Sequence, residues 1–486
     1  MSLRLVRRLT TLKPCVSGQR AVVGQQHSFQ KRQYCAPLSA ADCLVAIPET
    51  QVTALNNGFR VASEKDSRLK TCTVGLWLET GSRFENDENN GANHFFKQMA
   101  FQGTKKFPSR SALETEIEKL GAQFGAVSGR DQSAFYAKCH ADNVDKVVEL
   151  LAELVLHCKL EEAVVEQQRR VVLRQLAEAQ EDMYGVVQDF LHTAAFNGTP
   201  FARTVIGPEE NIRKMTRKQL VEYVEDNFKA TRMVLCGAGG VDHNQLVDLA
   251  HKHFGAVDNT YLREIPLMTP VRFTGSNLRY RDDSMPFAYV ALAVENPGLD
   301  NLAEHIPMMV AGELIGSWDK THGSGVNSPS RLTQRLGFGG EVECFRSFNV
   351  AYRDTGLWGV YFICDPGPHI QPNVVANIQS EWNHLYVDVT DGEVERAKNQ
   401  LKTNLYLSLE DTTAVCADIG RQVLYFGQRT PLHEMDARID AVDVKVLRDV
   451  CQRNIYDNEV VVGAAGQIEA LTPYVNIRFS MKWWRL

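Results

Sequence analysis

A hydrolytic zinc centre carried on one helix needs two imidazoles at positions i and i+4, which share a helix face. It also needs a carboxylate close by to take a proton from the metal-bound water. The stretch Asn93-His94-Phe95-Phe96-Lys97-Gln98 has that spacing and little of that chemistry. His94 could be a first ligand. Gln98 stands where a second imidazole would be, and its neutral amide oxygen is a poor partner for zinc. Lys97 stands at the position of the base; an ammonium cannot accept a proton at neutral pH, and it repels a cation. A catalytic site takes three protein ligands and keeps a position open for water, so one imidazole does not make one.

The frame resembles that of the inverted zincins, whose motif is H-x-x-E-H. A later segment, Glu166-Gln167-Gln168-Arg169-Arg170-Val171-Val172-Leu173-Arg174-Gln175-Leu176, resembles the E-R-E-R-x-V-I-L-R-E-M run of the same family. The resemblance implies that the third ligand position falls on Gln175 and that an accessory acid position falls on Gln168. The vestigial ligand positions are then His94, Gln98 and Gln175, and the vestigial base position is Lys97. His94 is expected to be an ordinary structural histidine, with no metal, no cofactor and no catalytic residue in the chain.

Composition narrows the remaining classes. A chain of 486 residues with 44% hydrophobic content supports two or three domains with real cores. A net charge of −6 gives no electrostatic footprint for nucleic acid. The longest candidate apolar run, Met285 to Val294, is far shorter than the roughly 18 residues a membrane span needs. Eleven cysteines, odd in number and without a C-x-x-C pair, read as reduced thiols and not as a disulfide framework or a cysteine–zinc site. His251 and His253, two apart in an expected helix, point to different faces and read as surface residues.

The amino-terminal stretch differs from the rest. No acidic residue precedes Asp42, yet Arg4, Arg7, Arg8, Lys13, Arg20, Lys31 and Arg32 do, interleaved with hydroxyl and small apolar residues. That is the composition of a mitochondrial transit peptide, and the apolar core of a secretory signal is missing. Arg32-Gln33-Tyr34 followed by Cys35 resembles a matrix cleavage pattern, which places the cut between Tyr34 and Cys35 and assigns 1–34 to the transit peptide.

The remainder repeats itself with a period of roughly 220 residues, which marks duplicated domains and not a solenoid. Leu120-Gly121-Ala122-Gln123-Phe124 and the alternating Ser133 to Cys139 are echoed by Leu336-Gly337-Phe338-Gly339-Gly340 and Trp358 to Cys364. Glu161 to Asp182 parallels Asp391 to Asp411, and Met233 to Gly240 parallels Val460 to Gly466. Val74 to Leu78 and Tyr289 to Val294 read as opening buried strands, and Asp145 to His157 carries a helical apolar stripe. Ser111 with Glu114 three residues later reads as a capping box. Strands mixed with helices without strict alternation predict an α+β fold. The expected organisation is 48–258 for the first half, a 259–274 linker containing Pro266 and Pro270, and 275–486 for the second half.

Several further segments carry a resemblance that extends from about Leu55 to Leu486. They are Leu55 to Glu64, Ile206-Gly207-Pro208-Glu209-Glu210-Asn211-Ile212, Phe348 to Gly359, and the tail Asn476 to Leu486. Together with the zinc frame they resemble the β-type subunits of the mitochondrial processing peptidase and their core protein 1 relatives in the bc1 complex. The resemblance implies two homologous halves, each an antiparallel sheet backed by helices, closing clam-like around a cavity. A degenerate zinc site implies the core protein 1 role: a non-catalytic, matrix-side scaffold of respiratory complex III at the mitochondrial inner membrane. Its partners would be core protein 2, cytochrome b, cytochrome c1 and the Rieske protein, which hold the redox centres. The short run Gly323-Ser324-Gly325 differs from the longer glycine-rich loop of the peptidase's α subunit. The alternative implied by the same family is a processing-peptidase subunit, with Tyr352 and Arg353 as candidate contacts to peptide backbone.

Overall fold

The computed structural model describes residues 48–482 apart from 262, 264, 266, 267, 324, 326, 338, 339 and 341. The transit-peptide assignment, with Tyr34 and Cys35, lies outside the described residues, as do Pro266, Ser324, Phe338, Gly339 and 483–486.

The first half runs β1 (Gln51–Ala54), β2 (Arg60–Lys65), β3 (Thr71–Leu78), α1 (Ala92–Ala100), α2 (Arg110–Leu120), β4 (Gln123–Ser128) and β5 (Ser133–His140). It continues with α3 (Val144–Leu156), α4 (Glu162–Glu181), α5 (Met183–Ala195), α6 (Glu209–Lys214), α7 (Arg217–Asn227), β6 (Met233–Gly239) and α8 (His243–Phe254). The second half runs β7 (Asn277–Arg281), β8 (Ala288–Glu295), α9 (Leu302–Ile315), β9 (Ser317–Asp319), α10 (Arg331–Leu336), β10 (Val342–Ala351) and β11 (Gly356–Cys364). It ends with α11 (Ile370–Val387), α12 (Asp391–Ser408), α13 (Thr412–Phe426), α14 (Leu432–Asp440), α15 (Val444–Asn454), β12 (Val460–Gly466) and α16 (Tyr474–Phe479).

Each half folds around a six-stranded sheet, in the orders β1-β2-β6-β3-β5-β4 and β7-β12-β8-β11-β10-β9. The duplication shows in the registers. β3 lies antiparallel between β6 and β5, as β8 lies between β12 and β11. Each sheet is antiparallel apart from one pair, β2 with β6 and β7 with β12. The fold is therefore α+β in two homologous halves.

Burial explains the strand sequences. Val74, Leu76 and Leu78 of β3 face a core shared with Phe95, Met99, Val147 and Leu151, while Trp77 faces the opposite side. Both faces of the central strands are covered, so β3 and β6 are nearly continuous in apolar residues instead of alternating with polar ones. The covering of the second face is an exchange. Helix α13 of the second half lies on β3 and β6 of the first, where Cys416, Ile419 and Val423 meet Trp77, Val234 and Cys236. Helix α5 of the first half lies on β12 and β8 of the second, where Val187 and Leu191 meet Ala291, Ala293 and Val461. Gly420 permits the first contact, because a Cβ there would enter the Trp77 indole. Gly463 permits the second, where a Cβ would sit 2.9 Å from the Val187 carbonyl oxygen.

One local expectation is corrected. Helix α2 is capped by Ser109, whose hydroxyl accepts from the Ala112 N–H at 3.3 Å, and not by a Ser111–Glu114 box. Glu114 instead pairs with Arg110 one turn earlier. Ser109 has the extended backbone of an N-cap, with φ −135° and ψ 155°, whereas Ser111 already lies inside the helix. Complete capping boxes occur at Thr216–Gln219 and Thr390–Glu393.

Candidate functional site

The site is built where α1, α4 and the end of β4 converge. Helix α1 starts at Gly91, whose φ of +101° only glycine adopts readily. A Cβ at Gly91 would also strike the Ile206 carbonyl, and a Cβ at Gly207 would strike that of Asn90, so the Ile206-Gly207-Pro208 segment packs directly on the helix start. The free N–H groups there are satisfied by Glu85. Its carboxylate accepts from Gly91 N at 2.9 Å, Asn93 N at 2.8 Å and Asn90 Nδ2 at 2.8 Å. Complete burial nevertheless pushes the Glu85 carboxyl up to about 7 against these bonds. Negative charge at a helix N-terminus also suits the helix dipole.

On the helix so positioned, His94 is buried at 6% exposure. One hydrogen-bond assignment accounts for all three contacts of the group. His94 Nε2–H donates to Gln175 Oε1 at 3.0 Å, and the Gln98 amide donates to the same oxygen at 3.0 Å. The Ser128 hydroxyl, at the end of β4, donates to His94 Nδ1 at 3.1 Å. The three positions singled out as vestigial ligands therefore meet one another. Burial, reinforced by the neighbouring Lys97 charge, pushes the His94 imidazole down to about 4, outweighing the bond to Gln175. Lys97 is half-buried, and burial lowers its ammonium from the ordinary range. Gln168 lies on the same face of α4, seven residues or about 10 Å before Gln175, and is buried beside Val165 and Val172.

This donor set does not fit a catalytic zinc. It comprises one neutral imidazole with both nitrogens bonded, two carboxamides and a nearby ammonium, with no carboxylate or second imidazole to complete it. Among the described residues, no group of three or more His, Cys, Asp or Glu is arranged to hold a metal ion.

The second-half candidates sit apart from this network. Tyr352 is buried at 8% exposure, and its hydroxyl donates to His192 Nε2 at 2.8 Å. His192 in turn donates from Nδ1 to the Gln188 carbonyl at 2.7 Å, and burial holds its imidazole well below the usual range. The Tyr352–His192 bond joins the end of β10 to the exchanged helix α5. The Arg353 side chain is 43% exposed and lies 3.9 Å from Glu79. Glu85 and Ser128 carry no motif in the sequence. Glu85 could have been found as an acid shortly before a helix start, whereas Ser128 is brought to His94 only by the fold.

Residues 60–209 match the insulinase family of peptidases (peptidase family M16), and residues 214–401 match the peptidase M16 inactive domain. The chain is 46% identical over 445 residues to the mitochondrial-processing peptidase subunit beta of Bos taurus, covering 92% of this chain and 90% of the relative. It is 45% identical over 446 residues to the cytochrome b-c1 complex subunit 1 of Homo sapiens, covering 92% of each. Its fold superposes on a chain of complex III2 from Candida albicans with a TM-score of 0.79, at 26% identity, over 89% of this chain and 99% of that one. With two domain matches and such identities over most of its length, the chain belongs to the M16 peptidase family.

Proposed function

We propose that this chain is a core protein 1 type subunit: a non-catalytic scaffold of respiratory complex III on the matrix side of the mitochondrial inner membrane. The observation that carries the reading is the hydrogen-bonded group at the position of the family's zinc frame. Both imidazole nitrogens of His94 are bonded, to Ser128 and Gln175, Gln98 shares the Gln175 oxygen, and Lys97 stands where a general base is needed. Hydrolysis requires an activated water, and these groups neither bind a metal nor take a proton from that water. Likeness to a cytochrome b-c1 complex subunit 1 and to a complex III chain supports the respiratory assignment. Among the described residues no helix is long and apolar enough to cross a membrane, so the association would be with other subunits: core protein 2, cytochrome b, cytochrome c1 and the Rieske protein. In this reading residues 48–258 and 275–486 act as the two lobes of the scaffold, joined by 259–274.

The comparable identity to a processing-peptidase β subunit supports a second reading, in which the chain is an inert partner that holds presequences for a catalytic subunit. Depletion followed by blue-native electrophoresis and a precursor blot separates the two. The scaffold reading expects loss of assembled complex III with normal precursor processing. Accumulated precursors with undiminished complex III would overturn it.

A further inference from the structure

Cys72 and Cys139 face each other across strands β3 and β5. The antiparallel register sets them directly opposite, so both side chains emerge on the same face of the sheet. Their sulfurs are 3.6 Å apart, and both are free thiols. Among the described residues no other two cysteines are register partners in a sheet. The Cα atoms of opposed antiparallel residues lie about 4.5 to 5.5 Å apart, inside the range that a disulfide spans. Closing the sulfur gap to a bond therefore needs side-chain rotation and no change of register. The pair is also placed for access. Although both thiols are buried, they lie one residue inside the strand ends, and the terminal pair Thr71–His140 is exposed. Opening of one terminal pair is among the least costly local motions of a sheet.

We propose that Cys72 and Cys139 are a reversible thiol–disulfide pair, closed by hydroperoxides, that staples β3 to β5. At 3.6 Å either sulfur can donate its S–H to the other, and whichever is left as thiolate is the attacking sulfur. The thiolate attacks one oxygen of the hydroperoxide. A sulfur–oxygen bond forms, the O–O bond breaks, and the alkoxide leaves and is protonated to the alcohol. The sulfur of the other cysteine then attacks the resulting sulfenic sulfur. The S–S bond forms, the S–O bond breaks, and hydroxide leaves with that second thiol's proton as water. Two thiols are oxidised and one hydroperoxide is reduced by two electrons to alcohol and water. The covalent loop from 72 to 139 encloses α1 with His94 and β4 with Ser128, so the staple ties the former metal helix to the sheet that carries it.

The test uses the purified, fully reduced chain, exposed to excess tert-butyl hydroperoxide, alkylated, and mapped by mass spectrometry without reduction. The expected result is a peptide pair joined through Cys72 and Cys139, two hydrogens lighter than its parts and released by dithiothreitol. The oxidised chain should melt several degrees higher, because a long loop is closed in its unfolded state. Cys72→Ser should abolish the joined peptide. Recovery of both residues as alkylated thiols, under exposure that oxidises the more accessible Cys158 and Cys344, would overturn the proposal. So would a bond from either residue to a different cysteine, or one that forms only in urea. Should the serine variant fail to fold, the wild-type map decides alone.

Discussion

Replacing Gln175 with glutamate should change how the protein's stability responds to acid. In the native chain His94 is held down to about 4, against its ordinary value of 6.5. Between those values the unfolded state binds a proton that the folded state refuses, so stability rises with pH. The penalty therefore begins as pH falls through 6.5 and is complete below 4. Between pH 7 and pH 5 the linkage relation gives a loss of about 2 kcal/mol attributable to His94. A carboxylate at position 175 would accept the same Nε2–H and stabilise the imidazolium, raising the folded pKa by about 2 units. The loss over that pH interval then shrinks to about 0.5 kcal/mol. Urea denaturation of both chains at pH 7, 6 and 5 measures the difference. Other buried histidines, such as His192 and His305, contribute to both curves and cancel in the comparison. Parallel stability–pH curves for the two chains would refute the placement of Gln175 against His94.

Three further outcomes are expected. The purified chain should hold no stoichiometric zinc. Lys97→Glu with Gln98→His should add little, while the triple change with Gln175→Glu should bind about one Zn²⁺ by metal analysis, the three ligands a catalytic site takes; full binding by the double variant would remove Gln175 from the ligand set. Gly420→Ala should destabilise by about 1–3 kcal/mol through overpacking against Trp77, despite alanine's better helix propensity; Gly392→Ala, at the start of α12 with open space around it, should not, and thermal melts compare them. After mitochondrial import the mature chain should begin at Cys35, read by N-terminal sequencing; an intact Met1 or a start beyond Leu55 would reject the targeting reading.

The two-halved fold was legible because each half repeats the same short strand and helix patterns. The strand sequences around Val74–Leu78 and Tyr289–Val294 state their own burial, and i,i+4 spacing puts His94 and Gln98 on one face without knowledge of the fold. The placement of Gln175 came from family resemblance, and the two 3.0 Å contacts to its oxygen give that placement a geometry. Residues joined only by tertiary structure were not legible. Ser128 reaches His94 from another element, and Tyr352 reaches His192 across the two halves. The destination of α5 and α13 was equally hidden, since an apolar stripe says that a helix is covered and not by which sheet. The Ser111–Glu114 box failed for a different reason: two serines qualified as caps, and the helix starts directly after the earlier one.

The helix exchange bears on how such a chain could have arisen. A single ancestral half, folding alone, would leave one face of its sheet uncovered at the positions now met by α5 or α13. It would also carry a helix with no home sheet. Two identical copies related by a twofold axis remove both defects at once, each lending its helix to the other. Fusion of the two genes then makes that association permanent and frees the copies to diverge. What each copy must then conserve is the helix it supplies to its neighbour.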